Sequence, residues 1–418
     1  MFPGSVIRKL ARSEEVFAVN ETYFAFTVHV DGPVDIDAMS DAFDALLQRY
    51  PIFAGRLEKA DDGRYQIVAE DFLHPGIWVV DEGSGASKTD AVRLDQRQAL
   101  LNLRLTIAGG RTEVTLYTHH SLADAHHAFT LLEELFSLYT NVVTTGDPGP
   151  VTPQPAPESL ELLLEQRGVT KQQRSGLERF FPVMFAYDLP TAEMPPMASN
   201  SGSIQPIPVT RIRLTEQETS DLVEFGLANR LSLNSVVAAA ILLAEWQLRN
   251  TPHVPVPYIY PVDLRYLLSP PVSTTGSTLP VGVATYLAEI GPETDLVDLA
   301  RGIVDAFRAD LSDGVIQQSP LHFNLQYQGT PRGLPPIVLC TDTGSIPALR
   351  TPPGVQADDF ESELHFPTRA PVDLYSCGTF ANRLFLEHHA HLPGREKSLE
   401  AIHSLLCSLL TEDSWVME

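Results

Sequence analysis

Two short segments, one in the first third of the sequence and one in its last tenth, repeat one pattern, and this repeat constrains the fold more than any other feature. Residues 115–120 form an alternating, strand-like run that ends in His-His and leads through a loop into a helix, and residues 384–389 do the same. Repetition of a strand, loop and helix is typical of an internally duplicated chain, although the two His-His pairs in these segments, among 13 histidines and three such pairs in all, also arise by coincidence. We predict that the two halves share one fold, with coincidence as the alternative.

Prolines mark the middle of the chain. Five of them fall within residues 148–157, and five more lie between residues 190 and 208. Each proline ring fixes φ and removes a backbone donor, so these segments are predicted to be extended crossovers. The 418 residues also exceed what one hydrophobic core usually serves. We predict an N-terminal domain at residues 1–147, a connector with short helices at 148–208 and a C-terminal domain at 209–418.

Local patterns in both parts predict a mixture of helices and strands. Residues 37–49 carry apolar side chains at helical spacing, and residues 101–107 and 114–118 alternate around a Gly-Gly turn, which predicts a hairpin. Thr215 precedes Glu218 at the spacing of a capping box. Further helices are predicted at 125–139, 176–184, 232–248, 295–311 and 397–410, and further strands at 209–214, 258–262, 337–341 and 384–387. The predicted fold class is α+β, with mixed sheets and packed helices.

Composition excludes several classes of function. Lys and Arg number 29 against 53 Asp and Glu, and the formal charge of -24 disfavours nucleic acid as a partner. The three cysteines, Cys340, Cys377 and Cys407, are too few for a disulfide framework, and their apolar contexts predict core positions. No secretory signal is evident in the first 15 residues, and the longest apolar run, 236–248, is too short for a bilayer span. We expect a cytoplasmic monomer, with peripheral membrane contact left open.

Residues 119–127 place reactive side chains where a predicted strand turns into a helix. A neutral imidazole removes a proton from an alcohol or amine near neutral pH, so His120 is the candidate general base. Asp124 can cap the following helix and hold a buried arginine. His119 is expected to face the opposite side of the strand and to be structural, whereas His126 and His127 are expected to be solvated or capping groups.

Metal binding is the alternative use of these side chains. His120, Asp124 and His126 could converge on zinc, but no His-Glu-x-x-His motif or cysteine ligand spacing accompanies them. We therefore predict neither a metal nor another cofactor. His388, His389 and His391 repeat the histidine pattern without a following aspartate, so the second half is expected to lack the chemistry.

The segment His-Ser-Leu-Ala-Asp at 120–124 resembles the HHxxxDG motif of condensation domains and chloramphenicol-acetyltransferase-like acyltransferases. Residues 1–10, 236–265 and 398–407 resemble the polyketide-associated acyltransferases, and this likeness covers essentially the whole chain. The resemblance implies two chloramphenicol-acetyltransferase-like domains with a channel between them that leads to the histidine. It also implies transfer of mycocerosic acyl groups, as thioesters on a synthase-bound acyl carrier domain, to the hydroxyls of a long-chain diol such as phthiocerol or phthiodiolone.

By the motif match, the resemblance implies that His120 is the general base and that Asp124 is structural. Residues 261–265, Pro-Val-Asp-Leu-Arg, resemble the strand end whose arginine pairs with this aspartate in related enzymes, so an ion pair between Asp124 and Arg265 is expected. Ala125 departs from the motif glycine, and the Asp-Phe-Gly-Trp-Gly motif of plant members is absent from the sequence. A left-handed backbone at Ala125 would cost roughly 1 kcal/mol, whereas a helical one would cost nothing.

The sequence is compatible with three interpretations of function. Because the sequence contains no serine-elbow, Walker or dinucleotide motif, direct attack of the acceptor hydroxyl on the thioester is preferred over a covalent acyl-enzyme. The alternatives are a non-catalytic homologue that docks a carrier or binds lipid, and an amide-forming condensation domain. An acidic carrier domain needs cations for docking, and Arg230, Arg301 and Arg308 are the candidates, with ordinary surface charge as the alternative.

Overall fold

The computed structural model describes residues 4–69, 74–82, 94–184, 186–187, 189, 204–322, 335–366, 372–391 and 395–411; residues 190–203 of the predicted connector lie outside these ranges. The helices are α1 Arg12–Val19, α2 Ile36–Arg49, α3 Ala125–Thr145, α4 Leu160–Gln166, α5 Glu216–Asn229, α6 Leu233–Leu248, α7 Leu296–Ser312, α8 Val315–Gln318 and α9 Arg395–Thr411. The strands are β1 Val6–Lys9, β2 Tyr23–Asp31, β3 Arg56–Lys59, β4 Tyr65–Val68, β5 Ile77–Asp81, β6 Leu101–Ala108, β7 Arg111–His119, β8 Gln205–Pro206, β9 Val209–Arg213, β10 Val256–Asp263, β11 Val281–Ala288, β12 Val338–Ser345, β13 Gln356–Phe366, β14 Asp373–Phe380 and β15 Arg383–Ala390.

Two six-stranded mixed sheets have the same arrangement at their centres. In the first sheet, β5 is parallel to β6, and β6, β7 and β2 continue antiparallel. In the second, β12 is parallel to β14, and β14, β15 and β9 continue antiparallel. Helices follow at matching places, because α2 and α3 pack together after β2 and β7 as α5 and α9 do after β9 and β15. The two His-His pairs lie at the ends of matching strands, so the predicted shared fold is confirmed.

The connector and the second half also supply strands to the first sheet. β13 pairs antiparallel with β2 over its whole length, and β8 pairs with the other edge of β13. The sheet orders are therefore β5-β6-β7-β2-β13-β8 and β11-β10-β12-β14-β15-β9, with β1, β4 and β3 forming a small third sheet. The ranges 1–147, 148–208 and 209–418 stay a prediction of the domain boundaries, but by sheet membership Gln356–Phe366 lies with the first half.

Local sequence explains several features of the helices. Thr215 and Glu218 form the predicted capping box at the start of α5, and α6 is buried along most of its length, as its composition predicts. α3 continues beyond its predicted end until Gly146, whose left-handed backbone, with φ of 79°, closes the helix. The helix predicted at 176–184 is shorter than expected, because a 3-10 helix forms only at Leu177–Phe180 and turns follow it.

None of the helices in the described ranges is by itself both long and apolar enough to cross a bilayer. α5 and α6 meet that requirement only when they are taken together, and they are bent by 99° relative to each other.

A buried carboxylate joins the two halves at the exchanged strand. Glu387 of β15 accepts hydrogen bonds from Arg211 Nε at 3.1 Å and from the Ser362 N–H of β13 at 3.2 Å, and Arg213 Nη2 lies 3.4 Å away. Burial alone would raise the pKa of Glu387, but the neighbouring His389 and Arg211 lower it to about 2. The ionised carboxylate therefore ties β15 and β9 to β13.

Candidate active site

The loop between β7 and α3 is anchored to the segments that precede β2. The backbone N–H of His120 donates to the carbonyl of Thr22 at 2.9 Å. Ser121 Oγ donates to the carbonyl of Glu14, in α1, at 2.8 Å. These bonds fix the backbone from which the His120 side chain projects.

The His120 ring is half-buried and has one nitrogen free to act as a base. Nδ1 lies 3.1 Å from the carbonyl oxygen of Ala123. Since a carbonyl only accepts, Nδ1 carries the proton and Nε2 keeps its electron pair. Phe17 stacks on the ring at 4.1 Å between centroids, and Phe24 meets it edge-on at 5.0 Å. Burial lowers the pKa of His120 below its ordinary value, so the imidazole is neutral near pH 7 and able to accept a proton.

His119 contacts a different set of residues from His120, as strand alternation predicts. Its Nδ1 accepts from the Ser121 N–H at 3.3 Å, so Nε2 donates to Gln96 Oε1 at 2.9 Å. Tyr23 packs edge-on against the ring at 4.7 Å between centroids. Burial lowers the pKa of His119 to about 3, which keeps this ring neutral within the core.

Asp124 and Arg265 form the expected ion pair, and it joins the two halves. Nη1 lies 2.7 Å from Oδ2 and Nη2 lies 2.8 Å from Oδ1. The other N–H groups of Arg265 donate to Asp263 Oδ1 and twice to the carbonyl of Thr274, so all five donors are used. Asp124 Oδ1 also accepts the His127 N–H at 3.0 Å and caps α3. Although burial alone would raise the pKa of Asp124, the Arg265 guanidinium holds it below its ordinary value.

A second contact between the same elements reinforces this junction. His126 Nδ1 lies 3.3 Å from Asp263 Oδ2, while the other oxygen of Asp263 accepts from Arg265. The start of α3 is therefore held twice by residues at the end of β10, once through Asp124 and once through His126. His126 is 39% exposed, in agreement with its predicted solvation.

His127 is not solvated, and this part of the prediction is wrong. The third residue of α3 faces inward, so its ring is fully buried and lies edge-on to Phe53 at 5.4 Å and to Tyr50 at 6.4 Å between centroids. Burial lowers the pKa of His127 to about 4. Only its backbone N–H has the predicted capping role, toward Asp124.

The matching histidines of the second half are buried in different surroundings. His388 Nε2 bonds Asp373 Oδ1 at 2.7 Å, and its ring stacks on Tyr375 at 4.1 Å. His389 lies 3.5 Å from Glu387. The sequence has Pro393 at the position that corresponds to Asp124, so nothing equivalent to the aspartate follows this pair.

The zinc alternative receives no support from the described residues. Arg265 engages both carboxylate oxygens of Asp124. Within the described part of the chain, His120, Asp124 and His126 are not among the side chains gathered closely enough to hold a metal ion. The absence of a cofactor at the His120 loop stays a prediction.

The three docking candidates are exposed, but they lie on two different helices. Arg230 ends α5 with a left-handed backbone, φ 59°. Arg301 and Arg308 both lie on α7, and each is close to an aspartate three residues earlier, at 2.9 Å and 3.7 Å. These aspartates offset part of the positive charge, and the docking role stays a prediction.

Several residues of the site have no sequence signal that would have selected them. Phe17, Phe24 and Gln96 reach the histidines through pairings between distant segments. Asp263 could have been selected from the sequence, because it lies in the Pro-Val-Asp-Leu-Arg segment that indicated Arg265. Its contact with His126 depends on the relative position of the two halves.

The duplicated α+β fold, whose two halves meet beside the His120 loop, is the fold of solved condensation-domain and acetyltransferase structures. The first condensation domain of the calcium-dependent antibiotic synthetase has this fold, with a TM-score of 0.71 over 97% of each chain at 16% identity. The predicted fold class is thus confirmed. The channel between the halves stays a prediction.

Closer relatives define the family. Polyketide synthase associated protein 5 from Mycobacterium tuberculosis matches with a TM-score of 0.90 and 54% identity, over 98% of this chain and 100% of that one. The phthiocerol/phthiodiolone dimycocerosyl transferase of Mycobacterium bovis (strain BCG / Pasteur 1173P2) is 55% identical over 423 residues, covering 100% of both chains. A family model described as phthiocerol/phthiodiolone dimycocerosyl transferase C-terminus matches residues 188–389. This chain belongs to the phthiocerol/phthiodiolone dimycocerosyl transferase family and is an O-acyltransferase, as the resemblance predicted.

Ala125 fits the loop without strain. It is the first residue of α3, it is not among the described residues with positive φ, and it packs against the hydrophobic core that includes residues of α2, α3 and β2. We expect Ala125→Gly to leave turnover nearly unchanged and to lower the free energy of unfolding by roughly 0.5–1 kcal/mol, because glycine is freer in the unfolded chain. Steady-state rates and urea unfolding measure the two effects. A large gain in turnover with glycine would contradict this account of the loop.

Proposed function

We propose that this enzyme esterifies a long-chain diol with an acyl group taken directly from a thioester, and that His120 is the general base. The observation that carries the proposal is the hydrogen bond from Nδ1 to Ala123, which leaves Nε2 as the free base. Nε2 takes the proton of the acceptor hydroxyl as its oxygen attacks the thioester carbonyl. The tetrahedral oxyanion then collapses, the C–S bond breaks, and the imidazolium returns the proton to the leaving thiolate.

The acyl acceptor and donor are inferred from the relatives. The full-length relatives are named for dimycocerosyl transfer to phthiocerol or phthiodiolone, so we take a mycocerosic-type acyl group and the two hydroxyls of such a diol as substrates. The name of the similar solved protein, polyketide synthase associated protein 5, supports an acyl carrier domain of a mycocerosic-acid-type synthase as the thioester donor. The exposed Arg230, Arg301 and Arg308 remain the candidates for docking that domain.

A product analysis tests this proposal against its two alternatives. The enzyme is incubated with a carrier-loaded long-chain acyl donor and either a long-chain diol or a matched amine, and the products are identified by mass spectrometry. We expect mono- and diesters from the diol. Preferential amide formation would favour a condensation domain, and no product from either acceptor, with the donor still bound, would favour a non-catalytic binding protein.

A further inference from the structure

Three side chains with metal-ligating atoms meet on the second half, and none of them belongs to the His120 loop. Glu218 lies in the first turn of α5, and His403 and Cys407 lie one turn apart on one face of α9. Cys407 Sγ is 3.5 Å from His403 Nε2 and 3.9 Å from Glu218 Oε1, and Nε2 is 4.0 Å from Oε1. All three residues are half-buried, so Cys407 is not the core residue that the sequence predicted.

The distances fit a tetrahedral ion. Zinc binds sulfur at about 2.3 Å and nitrogen or oxygen at about 2.0–2.2 Å, which places tetrahedral ligand atoms roughly 3.4–3.6 Å apart. The sulfur–nitrogen distance already meets this spacing, and the other two need to shorten by about half an ångström, which rotation of half-buried side chains supplies. Thiolate and imidazole favour zinc over calcium or magnesium, which prefer six or more oxygen ligands.

The Glu218 carboxylate is held in place by the capping box at the start of α5. Glu218 Oε2 accepts from the Thr215 backbone N–H at 2.8 Å and from Thr215 Oγ1 at 2.7 Å. Its other oxygen, Oε1, faces Cys407 and His403. A metal ligand that is itself hydrogen-bonded needs little reorganisation on binding. The formal charge of -24 further favours cations near the surface.

We propose that Glu218, His403 and Cys407 bind one Zn²⁺ ion, with water as the fourth ligand. Binding replaces the thiol proton of Cys407 with the metal and releases that proton to solvent. The ion fastens the C-terminal helix α9 to α5, two helices that pack together on the second half. This site is independent of the proposed acyl transfer, since it shares no residue with the His120 loop.

Cobalt substitution tests the site on the full-length protein. Chelator-treated protein is titrated with Co²⁺, and then with Zn²⁺ against a chromophoric chelator. We expect one equivalent to bind, with the intense visible bands of tetrahedral Co²⁺ and a thiolate-to-cobalt charge-transfer band. Cys407→Ser should remove the charge-transfer band although Cys340 and Cys377 remain. His403→Gln and Glu218→Gln should each weaken binding by about tenfold or more, and the glutamine at position 218 still satisfies the capping box.

The matched control is His253→Gln, which removes an exposed histidine that lies on another segment. It should bind Co²⁺ as the wild type does. Wild-type binding without a charge-transfer band, or equal affinity of wild type and the three site variants, would overturn the proposal. Zn²⁺ should also slow hydrogen exchange in α9 in the wild type but not in Cys407→Ser, and this readout does not depend on transferase activity.

Discussion

Replacing His120 by alanine is expected to lower kcat/KM for acyl transfer by about 10²–10⁴-fold, because a positioned general base contributes that much. The truncation removes Nε2, the nitrogen left free by the bond from Nδ1 to Ala123. Ester formation from a long-chain acyl-CoA and a fatty alcohol measures the loss. His253→Ala, at an exposed histidine, is the control and should retain the wild-type rate. Equal rates for wild type and His120→Ala would remove this residue from the mechanism.

The same base sets the expected dependence on pH. Burial lowers the pKa of His120, so Nε2 stays unprotonated until the pH falls below the ordinary imidazole value of about 6.5. The acid limb of kcat/KM should therefore have its midpoint below that value, with activity retained above the midpoint and lost beneath it. A midpoint above the ordinary value would contradict the environment described for this ring.

Arg265→Met is expected to destabilise the protein by about 3–5 kcal/mol, because it leaves the buried Asp124 carboxylate without its partner. The carbonyl of Thr274 loses two hydrogen-bond donors as well. Equilibrium urea unfolding measures the change. Turnover should fall too, since the ion pair holds the loop that carries His120.

Two comparisons separate the buried charge from a general effect of losing an arginine. Arg301→Met breaks an exposed pair with Asp298, at 2.9 Å, and should change stability little. The double variant with Asp124→Asn and Arg265→Met removes both charges while asparagine still caps α3, so it should recover part of the lost stability. Equal destabilisation by Arg265→Met and Arg301→Met would mean that burial of the pair has no energetic consequence.

The parts of this fold that could be predicted are those that local sequence specifies. β7 ends at His119, where the apolar alternation stops. Thr215 and Glu218 form a capping box, which the sequence reveals because the motif needs only these two residue types three positions apart. The recurrence of a strand ending in His-His indicated the duplication. The pairing of Asp124 with Arg265 came from the resemblance, since nothing local links residues 141 positions apart.

What the sequence did not predict depends on contacts between distant segments. The stacking of Phe17 on His120 requires α1 to lie beside the loop, and no spacing within either segment expresses that proximity. The burial of His127 follows from which face of α3 packs toward α2 and β2. Neither β13 nor its exchange into the first sheet was predicted, because its pairing partner β2 lies in a distant part of the sequence.

The exchanged strand has a consequence for how this polypeptide is made. β2 ends at Asp31 and its partner β13 begins only at Gln356, so one edge of the first sheet stays unpaired while the residues between them are translated. At roughly 5–20 residues per second, that interval is on the order of tens of seconds. An unpaired edge is a template for pairing with other chains, so we expect the nascent first half to be prone to association until β13 has emerged.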